Sequence, residues 1–386
     1  MRYVRRGVHI ASKQVAYLFL FLAVLILSYM GLLYWLSHAV EQRQDEITAW
    51  LSKQIEQPVT IKSADIGQLG LLPKLHIEQL EIWSKDRGYT VISVESIFLG
   101  LDVLRSIEQS EAVLDDISIQ GLKTAITRNE DGKLAINGLD ASFTRTGEET
   151  DWFGLLSLLN NIDLQNVSVD YIDTQKNHLT GKYHLINATL EHDDSEWVSL
   201  ANIDLPSSLG QSIDFHAQAN IKESLQETVW KSDVNMKKLQ PSALAHDFFD
   251  SITIDKGLAS IEISIEGKGN DIATVFSSVQ LDGIKLVPLK AASISPVTIE
   301  KLNANVRWLQ TIDGWKLLGQ NLAIAMNGEL WPETNFSVIK KADQWFVNSN
   351  YLKLSDLSSI ALLTELSPEI IRKQLPAGDL NNLELQ

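Results

Sequence analysis

The side chains able to do chemistry are few and poorly grouped. His178, His184 and His192 are the one histidine cluster, spaced so that one strand face could hold all three, with Asp193 and Asp194 beside them. Three neutral imidazoles are a plausible zinc donor set. One strand would have to run unbroken from His178 to His192, however, and Thr180-Gly181 interrupts it. Asp115-Asp116 and Asp193-Asp194 pair carboxylates, yet glycoside hydrolysis needs two carboxyls converging across a cleft. Adjacent strand residues point to opposite faces, so these pairs read as solvated turn acids. Gly267 and Gly269 form a G-x-G without a third glycine, in a turn between strands. No G-x-S-x-G elbow, H-E-x-x-H or phosphate-binding loop is present. The chain has no cysteine, which excludes thiolate nucleophiles, thiolate zinc sites, iron–sulfur clusters and disulfides. No enzyme, metal site or cofactor is expected.

The elements that would position a site are strands. From Val59 onward the apolar period is two. Ile213, Phe215, Ala217 and Ala219 alternate with Asp214, His216 and Gln218, and Ile261, Ile263 and Ile265 alternate with Glu262 and Ser264. Turn signals at Asn129–Gly132, Gly267–Asn270 and Asp313-Gly314 separate such runs, so the body is mainly antiparallel β. Trp83, Trp230, Trp308, Trp315 and Trp345 lie beside these strands, where cross-strand packing is their usual role. A short unit recurs: apolar, two polar residues, then apolar-x-apolar. It appears as Ile77–Ile82, Leu114–Ile119, Leu164–Val169, Leu281–Leu286 and Leu380–Leu385, and it places a tight polar kink before a half-buried strand. Helices are expected at 151–160, at 241–250, and at 354–375 with Leu357, Ile360, Leu363 and Leu366 on one stripe. The sequence stops at Gln386 inside a fresh strand, and a fragment of something longer is expected.

Charge sorts the chain along its length. Arg2, Arg5, Arg6 and Lys13 form a basic tail over 1–14, and residues 15–36 then carry no charge at all. At 1.5 Å per residue that segment spans ~33 Å, matching a ~30 Å hydrocarbon core and exceeding a signal-peptide h-region. Tyr34 and Trp35 sit at its far end and Glu41, Asp45 and Glu46 follow. A single transmembrane helix with a cytoplasmic N-terminus is expected. Residues 37–57 read as a juxtamembrane amphipathic helix, with Val40, Ile47, Trp50, Leu51 and Ile55 at helical spacing and Pro58 ending it. Residues 58–386 form the β-rich body. With 33 basic against 49 acidic side chains, the net charge of −16 repels nucleic acid.

An antiparallel sheet with one apolar face must cover it with a second sheet, with helices or with a ligand. The helical segments are too short to cover this much strand. A self-packed β-sandwich and a curved sheet cradling acyl chains both remain open on the pattern, the latter contributing about 0.8 kcal/mol per buried CH₂.

The order of anchor, amphipathic helix, Gln57-Pro58-Val59-Thr60-Ile61 and short strands resembles the AsmA-like envelope proteins. Within that family it is most similar to the N-terminal part of the large YhdP-type members. Val94–Val103 with Ser106, the W-P turn Gly328–Pro332, and Leu366-Ser367-Pro368 followed by Pro376–Leu380 carry the resemblance. One departure is Glu56, where the family tends to place a glycine able to cap the helix. The resemblance implies a bridge-like lipid-transfer protein held in the bacterial inner membrane, with a periplasmic body: a long curved antiparallel β-sheet groove with a few short helices. It implies phospholipid as cargo, moved towards the outer membrane, and partners in the outer membrane or envelope reached through a further C-terminal part. The groove-floor residues read from the alternation are Phe215, Ala217, Ile261, Ile263, Ile265, Val306, Leu322 and Ile324. Segment 152–159 is expected either near the membrane, plugging the groove, or packed on the sheet as a simple helix. The competing function is a periplasmic tether or assembly factor for outer-membrane integrity, its apolar face closed against itself.

Overall fold

The computed structural model describes residues 40–69, 72–102, 113–139, 159–193, 195–221, 225–248, 251–289, 295–363 and 376–385, with isolated positions between 27 and 38 and at 105, 106 and 108. The tail 1–14, nearly all of the expected anchor 15–36, and segments 151–158 and 364–375 lie outside the described residues. Among the described residues, no helix is long and apolar enough to cross a membrane. The chain divides into two compact units, Met1–Leu122 with Gly138–Leu159, and Lys123–Asn137 with Asn160–Gln386.

In the first unit, helix α1 (Gln44–Ile55) precedes four antiparallel strands: β1 (Val59–Leu69), β2 (Leu72–Trp83), β3 (Thr90–Leu101) and β4 (Leu114–Gln120). The stripe of Val40, Ile47, Leu51 and Ile55 packs on Val59, Ile61, Ala64, Ile77, Leu80, Ile82 and Val94, each at most 9% exposed. Gln44 Nε2 donates to the Ile61 and Lys62 carbonyls at 2.8 and 3.0 Å, fixing the helix along β1. Glu56 takes the left-handed capping conformation, φ 56°, and Gln57 N–H reaches back to the Ser52 carbonyl at 3.2 Å. The helix Gln44–Ile55 lies within the segment expected to be helical, and at its end a glutamate fills the conformation that glycine adopts without strain.

The second unit holds β5 (Lys123–Arg128), β6 (Leu134–Ile136), β7 (Asn161–Asp173), β8 (Gly181–Asp193), β9 (Glu196–Asp204), β10 (Ser212–Asn220) and β11 (Val229–Leu239). Helix α2 (Pro241–Phe248) leads to β12 (Ile252–Lys268), β13 (Asp271–Pro288), β14 (Val297–Thr311), β15 (Gly314–Met326), β16 (Glu329–Leu330), β17 (Thr334–Lys341) and β18 (Gln344–Lys353). Helix α3 (Leu354–Leu363) and β19 (Asp379–Leu385) follow. Successive strands pair antiparallel from β7 to β15 and again from β17 to β19, with β17 on β15. The purely antiparallel expectation is corrected at one place. β5 and β7 run parallel, with β6 turning back antiparallel onto β5, so the sheet is mixed.

The recurring polar kink has a backbone cause. Its third position is left-handed in four of the five copies: Gln79, Asn166, Gly283 and Asn382, with φ between 50° and 61°. Asp116, in the fifth copy, is not. Lys238, Gly257 and Asn321 make the same break in β11, β12 and β15. A strict period of two would send Leu281 and Ile284 to opposite faces. The break at Gly283 resets the phase, and both pack in one core with Ile252, Leu286, Ile299, Ile324, Met326, Trp331 and Leu363. Helix α3 closes this core through Leu357, Ile360 and Leu363. It is held there by Asp356, 2% exposed, whose carboxylate accepts from Trp331 Nε1 at 2.8 Å.

Candidate functional site

Residues directly opposite in a ladder share a face, so the registers of the second unit sort its side chains into rows across the strands. One row runs Ala201, Phe215, Val234, Ile263, Ser277 and Val306, and continues through Gly319, Phe336, Ser349 and Leu383. On one side lies a row through Ile213, Met236, Ile261, Val279 and Ala304. On the other lies Ser199, Ala217, Ser232, Ile265, Val275 and Trp308, then Leu317, Val338 and Val347. A fourth row, nearest the hairpin turns, holds Trp197, Ala219 and Trp230, and farther along Gln310, Trp315, Lys340 and Trp345. Phe336 lies over Gly319 and Trp230 over Gly267, each ring filling the space a Cβ would need.

The eight residues singled out in the sequence fall on this one face. Phe215, Ile263 and Val306 share a row, Ala217 and Ile265 the next, and Ile261 the one beyond. All six are half-buried. Leu322 and Ile324 are placed differently. Past the break at Asn321 they pack in the core beneath α3, and Ile324 is 7% exposed. They belong to the part of the face that the chain closes itself.

The opposite face of the same strands is polar, with Asp214, His216, Asp233, Glu262, Glu266 and Arg307. A cleft of about 690 Å³ opens there, between Leu200, Asn202, Asp214, His216, Asp233, Glu262 and Phe276. Its charges are matched locally: Lys237 Nζ sits 2.6 Å from Asp214, and His216 Nδ1 3.8 Å from Asp233.

The histidine cluster does not converge. His178 lies in a 3-10 turn, Asn177–Leu179, before β8 begins at Gly181. His184 faces Ser168 and His192 faces Trp197, on opposite faces of the sheet. Among the described residues no group of three metal-ligating side chains forms. Asp115-Asp116 is not a solvated turn but part of β4. Asp116 is drawn in by Lys74 at 2.8 Å, over Gly100, where any side chain would collide with the carboxylate.

One buried carboxylate escaped sequence reading. Asp173 is 1% exposed and accepts from Tyr171 Oη at 2.9 Å and from the backbone of Gln175 and Lys176 at 3.0 and 2.8 Å, with Arg128 at 3.4 Å. Burial pushes its pKa up, but these donors outweigh burial and hold it at about 2. It ties the end of β7 to β5 and is structural. An Asp three residues before a lysine carries no sequence signal of that role.

The family model described as YhdP protein matches residues 1–386. The chain belongs to the YhdP family. No curated relative and no solved structure matches it. In this YhdP-family chain the quoted motifs have mechanical roles. Asp102 Oδ1 accepts from Arg105 N at 2.9 Å and Ser106 Oγ from Val113 N at 3.0 Å, shaping the turn after β3. Trp331 of the W-P turn anchors α3. The Pro376–Asp379 return is pinned by Ser358 Oγ on the Pro376 carbonyl and Leu354 N on the Gly378 carbonyl, both 2.8 Å.

Proposed function

We propose that this protein is an inner-membrane-anchored, bridge-like lipid-transfer protein that moves phospholipids across the periplasm towards the outer membrane. On this reading it catalyses no covalent step. The observation that carries it is the half-buried apolar face of the second unit, in register over ten strands from β9 to β19. At ~4.8 Å per strand the Phe215 row extends for ~43 Å. Acyl chains on this floor exchange water for apolar contact, and a face repeating the same side chains offers no deep minimum to stop them sliding. Family membership and the N-terminal apolar segment support the envelope location. Leu322 and Ile324, closed beneath α3, favour the second reading, a tether whose whole apolar face is sealed.

In-cell photo-crosslinking separates the two, with a photoreactive residue at 263 in one strain and at 262 in another. A phospholipid adduct at Ile263 and none at Glu262 supports transfer. Protein-only adducts at 263 would sink the conduit and leave the tether.

A further inference from the structure

The apolar face is graded across its width. The row nearest the α3 core is purely hydrophobic: Ile213, Met236, Ile261, Val279 and Ala304. The row nearest the hairpin turns is aromatic and polar. Trp197, Trp230, Trp315 and Trp345 are each the second residue of their strand, directly after a turn. Polar groups are set among them. The His192 ring stacks on Trp197 at 4.5 Å, and Lys340 Nζ stands 5.7 Å from the Trp345 ring centre. Trp315 packs edge-on to Trp345 at 5.5 Å.

Charge follows the same gradient. From β9 to β19 the four rows contain no carboxylate, in a chain of net charge −16, and Lys340 is their one charged side chain. The opposite face carries Asp214, Asp233, Glu262 and Glu266 on the same strands. Within the rows Lys340 is the cation available to a phosphate, while the exposed turn acids Asp313 and Asp343 lie beyond the tryptophans. Indoles settle where hydrocarbon meets water, because the ring is apolar and the N–H is a donor. Successive rows are two residues apart, so four rows span ~20 Å. One leaflet's share of a ~30 Å hydrocarbon core is ~15 Å, so acyl chains fit between the tryptophan row and α3.

We infer that the tryptophan row marks the headgroup–hydrocarbon boundary of bound phospholipid. Acyl chains lie along the strands with their ends towards α3, and headgroups project at the hairpin-turn edge beside Lys340. This rests on the lipid-transfer reading and adds the lipid's orientation and the residues that set it.

The test uses the full chain in membranes with two phosphatidylcholine probes, one bearing a diazirine at an acyl-chain end and the other a benzophenone on the headgroup. Adducts are mapped to residues by mass spectrometry. Headgroup adducts at Trp315 and Trp345, with chain-end adducts at Ile261 and Val279, support the orientation. In a Trp315→Leu, Trp345→Leu double variant, which keeps the face apolar, headgroup adducts should be lost from β15 and β18 while chain-end adducts persist. A reversed or uniform distribution overturns the orientation and leaves lipid transfer standing. No adduct of either probe overturns both.

Discussion

The two units treat the same strand pattern in opposite ways. In the first, the apolar side of β1–β3 meets α1, and residues such as Ile61 and Ile77 fall below a tenth of their possible exposure. In the second, Ile263 and Phe215 alternate with polar neighbours just as regularly, yet stay half-exposed. The strands alone do not decide whether a face is open. What decides is whether a helix of matching stripe lies near enough in the chain to pack on it. α1 does so for the first unit, α3 does so for only one side of the second.

That contrast can be broken most sharply with a charge. Ile77→Glu buries an unpaired carboxylate beneath α1 and should cost more than about 4 kcal/mol, whereas Ile263→Glu, whose carboxylate can reach water, should cost about 1 kcal/mol. Urea unfolding of both variants measures this. Equal losses would mean that the second face is sealed like the first.

Acid should act on the second unit through Asp173. Its folded pKa of about 2 lies below the ordinary value of ~3.9, so its contribution is complete above that ordinary value. It is lost as pH falls from ~4 towards 2. Hydrogen exchange of β7 and β8 amides should accelerate over that window, and Asp173→Asn should flatten the dependence while lowering protection at neutral pH.

The left-handed breaks give graded effects. Gly257→Ala, where the new Cβ would lie 2.7 Å from the Ile284 Cα, should destabilise more than Gly283→Ala, which has nothing within 4 Å. The latter meets only the conformational cost of about 1 kcal/mol. Thermal melts of both rank them, and the reverse order would show that packing does not govern the break. The smallest effect is a gain in the first unit. Glu56→Gly relieves a left-handed cap and should stabilise by about 0.5 kcal/mol, read as a slightly higher urea midpoint.

Much of this was legible in the sequence because it is local. Alternation located the face, the polar pair located the kink, and helical stripes located α1, α2 and the start of α3. What was not legible depends on long-range placement. Leu322 and Ile324 alternate like Ile263, but only the fold shows that α3 lies over them. The parallel β5–β7 pair leaves no trace in either strand's period. The tryptophan row was within reach: each indole follows a turn by one strand position, in the segments Glu196-Trp197, Val229-Trp230, Gly314-Trp315 and Gln344-Trp345. Read strand by strand they suggest packing, and only register shows them as one line.

The positive-φ glycines of β12 and β13, Gly257 and Gly283, also act as index marks. β12, β13 and β14 have 17, 18 and 15 residues of similar alternation, and a shift by two positions would preserve their apolar face. Such a shift would leave Gly257 or Gly283 facing regular ladder and bring Asp255 or Ala259, or Leu281 or Lys285, to the place of the glycine. The marks in β12 and β13 thus favour one alignment of these long strands over a shift by two, which keeps successive hairpins in step.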